Sequence, residues 1–149
     1  MDSISQSLIY LPEQMRSREA WAMLYAIGMQ ESRFQHRRQI RGPARGFWQF
    51  ERIGLQEVVT GRMTREHFAG VCKALNYPLE IDFLFEAIAH NDTLACCAAR
   101  LLLWPDPAAL PGRDDTDVAW AYYLRRWRPG KPHEATWSGF WREAWEVAP

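Results

Sequence analysis

The chain has 149 residues, 48% of them apolar and 24% charged, with Lys plus Arg equal to Asp plus Glu at 18 each. This length predicts one domain spanning 1–149, large enough to bury roughly 70% of its extended surface, and the content of large side chains excludes disorder. The zero net charge removes any global attraction to nucleic acid or an anionic membrane, and no apolar run reaches the ~20 residues of a membrane-spanning helix.

The opening "MDSISQSLIYLPEQM" lacks a basic start, an apolar core and a small-residue cleavage site, which predicts a product made in the cytoplasm without a signal peptide. Trp21, Leu24, Tyr25, Gly28 and Met29 then recur at helical steps, with Ser17 as N-cap and Glu19 in the first turn. From Gln35 to Gly46 the periodicity stops and Gly-Pro intervenes, so this stretch is a loop. Helical stripes return in "ERIGLQEVV", in "TREHFAGVCKAL" with Thr64 as cap, and in "LEIDFLFEAIAH". "DTLACCAARLLLW", capped by Asp92, reads as an almost wholly buried central helix. After the turn "PDPAALPG", Val118, Trp120, Ala121, Leu124 and Trp127 mark another apolar face, and Trp137, Trp141 and Trp145 share one side of a terminal helix. No strand pattern or repeat stands out. The predicted fold is mainly α with little or no β-structure.

Three cysteines, Cys72, Cys96 and Cys97, have neither disulfide nor zinc spacing and read as small core residues. His36, His67, His90 and His133 show no ligand spacing, so no metal and no cofactor is expected.

Chemistry concentrates in two short stretches. In "QESRF", Glu31 closes an apolar helix, where the helix dipole disfavours an acid. A carboxyl group among Trp, Phe and Met side chains loses hydration, and its pKa rises towards that of a working general acid. The competing reading is an exposed glutamate paired with Arg33 or Arg37. In "RGFWQFE", Gly46 allows an unusual backbone path, Phe47 and Trp48 offer flat apolar faces, and Gln49 both donates and accepts hydrogen bonds, a combination suited to gripping a sugar. The competing reading there is a hydrophobic plug that anchors the loop.

Together, Glu31-Ser32 ending an apolar helix and "GFWQ" after a Gly-bearing loop resemble the soluble lytic transglycosylases of the lysozyme-like superfamily. Those enzymes carry Glu-Ser at a helix end and a Gly-Leu-Met-Gln turn; here Phe47 and Trp48 replace Leu and Met. The family's later Ala-Tyr-Asn-Ala-Gly element is echoed by "AYYLR", which keeps Ala121 and Tyr122 only. The resemblance covers Trp21 to about Tyr123. It implies a lysozyme-like helical domain of phage type that cleaves the peptidoglycan glycan strand. In that role Glu31 is the single catalytic acid and Tyr122 holds it by a hydrogen bond, while Ser32, Gly46, Phe47, Trp48 and Gln49 meet substrate. It also implies that no second carboxylate is needed, with Glu51 the nearest alternative for a hydrolytic route.

Two arginine groups, Arg33 to Arg45 and Arg125 to Lys131, flank the expected cleft, either to hold peptide-stem carboxylates or to form intramolecular pairs. Besides the enzyme, two other functions remain open: a lysozyme-like wall-binding or virion module without turnover, and a nucleic-acid binder, which the zero net charge disfavours. No partner protein is indicated.

Overall fold

The computed structural model describes residues 2–149, among which eight α-helices carry nearly all the regular structure. The only extended pairings there are isolated bridges, Arg38 to Arg45 and Arg45 to Phe50. The mainly α expectation is therefore met. No helix among these residues is long and apolar enough to cross a membrane.

The amino-terminal stretch, for which the sequence pattern gave no helix, forms α1 (Ser3–Leu8) and a single 3-10 turn (Glu13–Met15). The Asp2 carboxylate organises it, accepting from the Ile4 amide and from the Trp21 indole. Helix α2 (Arg18–Ser32) starts where predicted, with the Ser17 hydroxyl accepting from the Ala20 amide at 3.1 Å, and runs one turn further than its apolar stripe. The terminal turn holds Glu31 and Ser32. Helices α3 (Arg52–Thr60), α4 (Arg65–Ala74) and α5 (Ile81–Ile88) follow as a compact run, and α6 (Asp92–Leu103) passes through the middle of the molecule. From Leu94 to Leu103 every residue of α6 is buried, as its Ala, Cys and Leu content requires. Cys72, Cys96 and Cys97 are free thiols in this core. Helix α7 (Thr116–Trp127) and helix α8 (Glu134–Val147) close the structure, with α8 packed along α2 and α1 along α6.

Three local expectations are corrected. Asp92 is not the cap of α6: Asn91 accepts from the Leu94 amide at 2.9 Å, and Asp92, one residue inside, pairs with Arg37. Thr64 precedes α4, but its hydroxyl donates back to Val58 O at 2.7 Å, fastening α4 to α3 rather than capping. The inward face of α7 is Ala119, Tyr122 and Tyr123, while Val118 and Ala121 are exposed.

Helix α2 ends because Arg33 and Phe34 both take left-handed backbone angles, φ 54° each, and the chain reverses. The Phe34 ring folds back against α2 at Gly28, where any β-carbon would overlap it. It then meets Tyr25, Phe47 and Trp48 with ring centroids 5.6, 5.7 and 5.6 Å away. Gly28→Ala is expected to push this ring out of place and lower stability by about 1–3 kcal/mol, the range for overpacking a core. Chemical denaturation with near-UV circular dichroism checks this, since the aromatic signal should weaken while the far-UV helix signal stays.

Candidate active site

Glu31 opens onto a cleft of about 700 Å³ bounded by the end of α2, the 39–54 segment, and the end of α7 with the 128–133 segment that follows it. The turn that forms one wall is a four-residue reversal between paired Arg45 and Phe50, with Phe50 N to Arg45 O at 2.8 Å and Arg45 N to Phe50 O at 2.9 Å. Gly46 sits at φ 75°, and a β-carbon there would lie 2.7 Å from Ile88 Cγ2 and 3.0 Å from Ile88 O. The backbone passes so close to the end of α5 that only glycine fits. The opposite wall is tied to α2 through Gln30, whose amide donates to His133 O at 2.8 Å and whose carbonyl accepts from the Thr136 hydroxyl at 2.9 Å.

Of the residues expected to meet substrate, only Gln49 lines this cleft. Its own amide is engaged, donating to Gly46 O at 2.8 Å and so bracing the turn. Trp48 is 2% exposed and donates its indole hydrogen to Leu24 O at 2.8 Å, so its face is core surface and cannot stack on a sugar. Phe47 is half-buried beneath the Arg37 guanidinium, 4.2 Å from its ring centroid. Ser32 is buried, with its hydroxyl donating to Phe47 O at 2.6 Å and accepting from the Phe34 amide at 3.1 Å. Ser32, Phe47 and Trp48 thus pack behind the cleft, the two rings anchoring the loop against Phe34, while Gln49 and Phe50 line the cleft itself. The aromatic side chains on the cleft are Phe50, Tyr123 and Trp127, the last half-buried with its indole hydrogen donated to Trp48 O at 2.9 Å.

The tyrosine next to Glu31 is also not the one expected. Tyr122 donates to Leu103 O at 3.1 Å on the far side of α7, whereas the Tyr123 hydroxyl donates to Glu31 Oε1 at 2.6 Å. Consecutive helical residues point about 100° apart, so only one of the pair reaches the cleft. Tyr123 is held there by stacking on Trp137, with centroids 5.1 Å apart and planes 11° apart. The signal in the sequence was the spacing of Trp120, Tyr123 and Trp127, which puts all three on one face.

Neither Arg33 nor Arg37 pairs with Glu31. Arg33 lies over the Phe140 ring and Arg37 pairs with Asp92. Largely removed from water and without a cation, Glu31 has its pKa raised to about 7; burial is the main cause, the Tyr123 hydrogen bond opposes it, and the charge of Glu51 adds to it. Burial and the Glu31 carboxyl also push the Tyr123 phenol well above its usual value, so it remains a donor across the working pH range. Glu51, at the N-terminus of α3, is a second carboxylate on the same cleft.

The chain matches no family model, and no curated protein or solved structure is significantly similar to it.

Five members of the arginine groups are committed within the protein. Arg37, Arg38, Arg45, Arg125 and Arg128 form intramolecular pairs, with Asp92, Glu86, Glu86, Asp106 and Glu57 respectively. Arg41, Arg126 and Lys131 line the cleft without a carboxylate partner.

Two outcomes follow for Glu31. Tyr123→Phe removes a hydrogen bond to the charged form and is expected to raise the Glu31 pKa further, while Tyr122→Phe leaves it unchanged; carboxyl ¹³C titration by NMR separates the two. For stability, the folded protein holds the Glu31 proton up to about 7 and the usual value is 4.5. Its contribution is complete below the lower pH and is lost as pH rises through the upper one. Glu31→Gln is therefore expected to be more stable than wild type above pH 8, by on the order of 2–3 kcal/mol, with the difference shrinking towards pH 5. Urea melts at both pH values check it.

Proposed function

We propose that this chain is a peptidoglycan lytic transglycosylase built on a lysozyme-like helical domain. The observation that carries the reading is Glu31 itself, a carboxyl group at a cleft, held by Tyr123, with no cation beside it and its pKa raised to about 7. Near neutral pH such a group is present in both protonation states, which suits an acid that must then serve as base. Glu31 protonates the glycosidic oxygen between N-acetylmuramic acid and N-acetylglucosamine as the bond to the muramic C1 breaks. The resulting carboxylate then takes the proton of the muramic 6-hydroxyl as that oxygen bonds to C1, closing the 1,6-anhydro ring. Tyr123 holds the carboxyl through one oxygen and leaves the other for the substrate. Arg41, Arg126 and Lys131 supply cations on the cleft for the carboxylates of the peptide stems.

Glu51 supports a second reading, muramidase-type hydrolysis, because it places another carboxylate on the same cleft where a water could be activated. Mass spectrometry of fragments released from purified peptidoglycan distinguishes them. Anhydro-muropeptides are expected from wild type, with Glu31→Gln reducing release by about 10²–10⁴-fold, the usual contribution of general acid–base catalysis. Reducing ends that disappear in Glu51→Gln would establish hydrolysis instead. Binding to the wall with no fragments released by wild type would overturn both and leave a binding module.

A further inference from the structure

Arg100 is the one charged residue in the buried stretch of α6, and it is 3% exposed. Its Nε donates to Met15 O at 2.8 Å and its guanidinium lies over Trp104, 5.2 Å from the ring centroid. No carboxylate lies within ion-pair distance of it among the described residues. Its two terminal nitrogens have no acceptor in the protein, yet they are not sealed: the sole fully enclosed side-chain polar atom lacking a partner there is Trp145 Nε1. Arg100 lines a groove of about 460 Å³ between the start of α2, α6 and the 104–112 turn, together with Leu103, Trp104, Leu110 and Tyr122. This groove shares no lining residue with the Glu31 cleft.

A guanidinium is the cation least able to shed its charge, and leaving one buried without a counter-charge is expensive. Even with burial pulling its pKa down to about 10, Arg100 is cationic at neutral pH. Of the two acids bordering the groove, Asp106 is neutralised by a two-point pair with Arg125 at 2.7 and 3.1 Å and also accepts from the Ala108 amide. Glu19, in the first turn of α2, is in no ion pair among the described residues and disfavours a ligand with a second negative charge. The volume falls within the range of small-molecule sites, and the lining is mixed, with Trp104 and Leu110 among its apolar members and Gln14 and Ser17 among its polar ones.

We propose that this groove is a binding site for a monocarboxylate carrying an apolar chain, its carboxylate on the Arg100 fork and its chain along Trp104 and Leu110. The site stands apart from the proposed cleavage chemistry and does not depend on it. Hexanoate is the probe, titrated into the full chain while the Arg100 Nε–H and the Trp104 indole N–H are followed by two-dimensional NMR. Both signals are expected to shift saturably in the millimolar range, and Arg100→Met is expected to weaken binding by at least about tenfold through loss of the charge-assisted bonds. Ala109→Trp, at an exposed position on the groove, keeps Arg100 and the core intact and is expected to abolish binding by filling the space. Glu31→Gln should bind hexanoate like wild type. Absence of saturation in wild type, unchanged binding in Ala109→Trp, or inorganic phosphate binding as tightly as hexanoate would each overturn the proposal.

Discussion

The Phe34 ring lying against Gly28 is the contact on which the cleft depends. It requires a glycine six residues upstream, left-handed angles at Arg33 and Phe34, and a loop that returns Phe47 and Trp48 to the exposed ring edges. A non-glycine residue in that conformation costs of order 1 kcal/mol or more, so the reversal persists only because aromatic burial offsets it. Arg41 and Gln49 are also left-handed, at φ 57° and 48°, which concentrates such positions between residues 33 and 49. The strain is local to the segment that brings Ser32 against the Phe47 carbonyl and fixes the last turn of α2 relative to the cleft wall. Glu31 inherits its position from that lock.

From the other side, the position of the Tyr123 phenol follows from an aromatic column. Tyr123 stacks on Trp137, Trp137 on Trp141 at 6.1 Å and 14°, and Trp145 meets Trp141 edge-on. The indole stripe of α8 is thus core, and it transmits the packing of α8 on α2 to one hydroxyl group. α7 contributes its two tyrosines on different faces: Tyr123 to the cleft, Tyr122 to the carbonyl of Leu103 and the Arg100 groove. Likewise α6 borders the cleft through Leu102 and the groove through Arg100 and Leu103. The two concavities are thus bordered by different faces of the same pair of helices.

The helical character, the Ser17 start of α2 and the buried α6 were legible because each follows from local periodicity or capping chemistry. Glu31 was legible for a related reason: a carboxyl at the wrong end of an apolar helix is locally anomalous. What the sequence concealed were the contacts between distant segments. Tyr122 and Tyr123 are equivalent in composition and differ only in which side of α7 faces α2. Phe47 and Trp48 look like a platform until the return path of the loop shows that Phe34 already occupies their faces. Arg100 was hidden by its setting, since an arginine within a run of Ala, Cys and Leu does not disturb the helical pattern. The α1 segment was missed because its organising contact joins Asp2 to the indole of Trp21, 19 residues away.

Among the described residues Glu31 carries no ion pair, and two arginines near it in sequence or on its cleft are committed to acids elsewhere. Arg37 follows it by six residues and Arg128 lies on the same cleft, and a cation beside the carboxyl would favour its charged form. Asp92 at the start of α6 takes Arg37, the Phe47 ring fixes that guanidinium from below, and Glu57 on α3 takes Arg128. These pairs are solvent-exposed and contribute little to stability by themselves. The remaining cleft cations, Arg41, Arg126 and Lys131, form no ion pair with Glu31, so burial is the leading influence on it, and the Tyr123 hydrogen bond orients the group while moderating the upward shift. The direction of the Glu31 shift is thus set by burial rather than by a charged partner, and Glu51 on the same cleft adds to it.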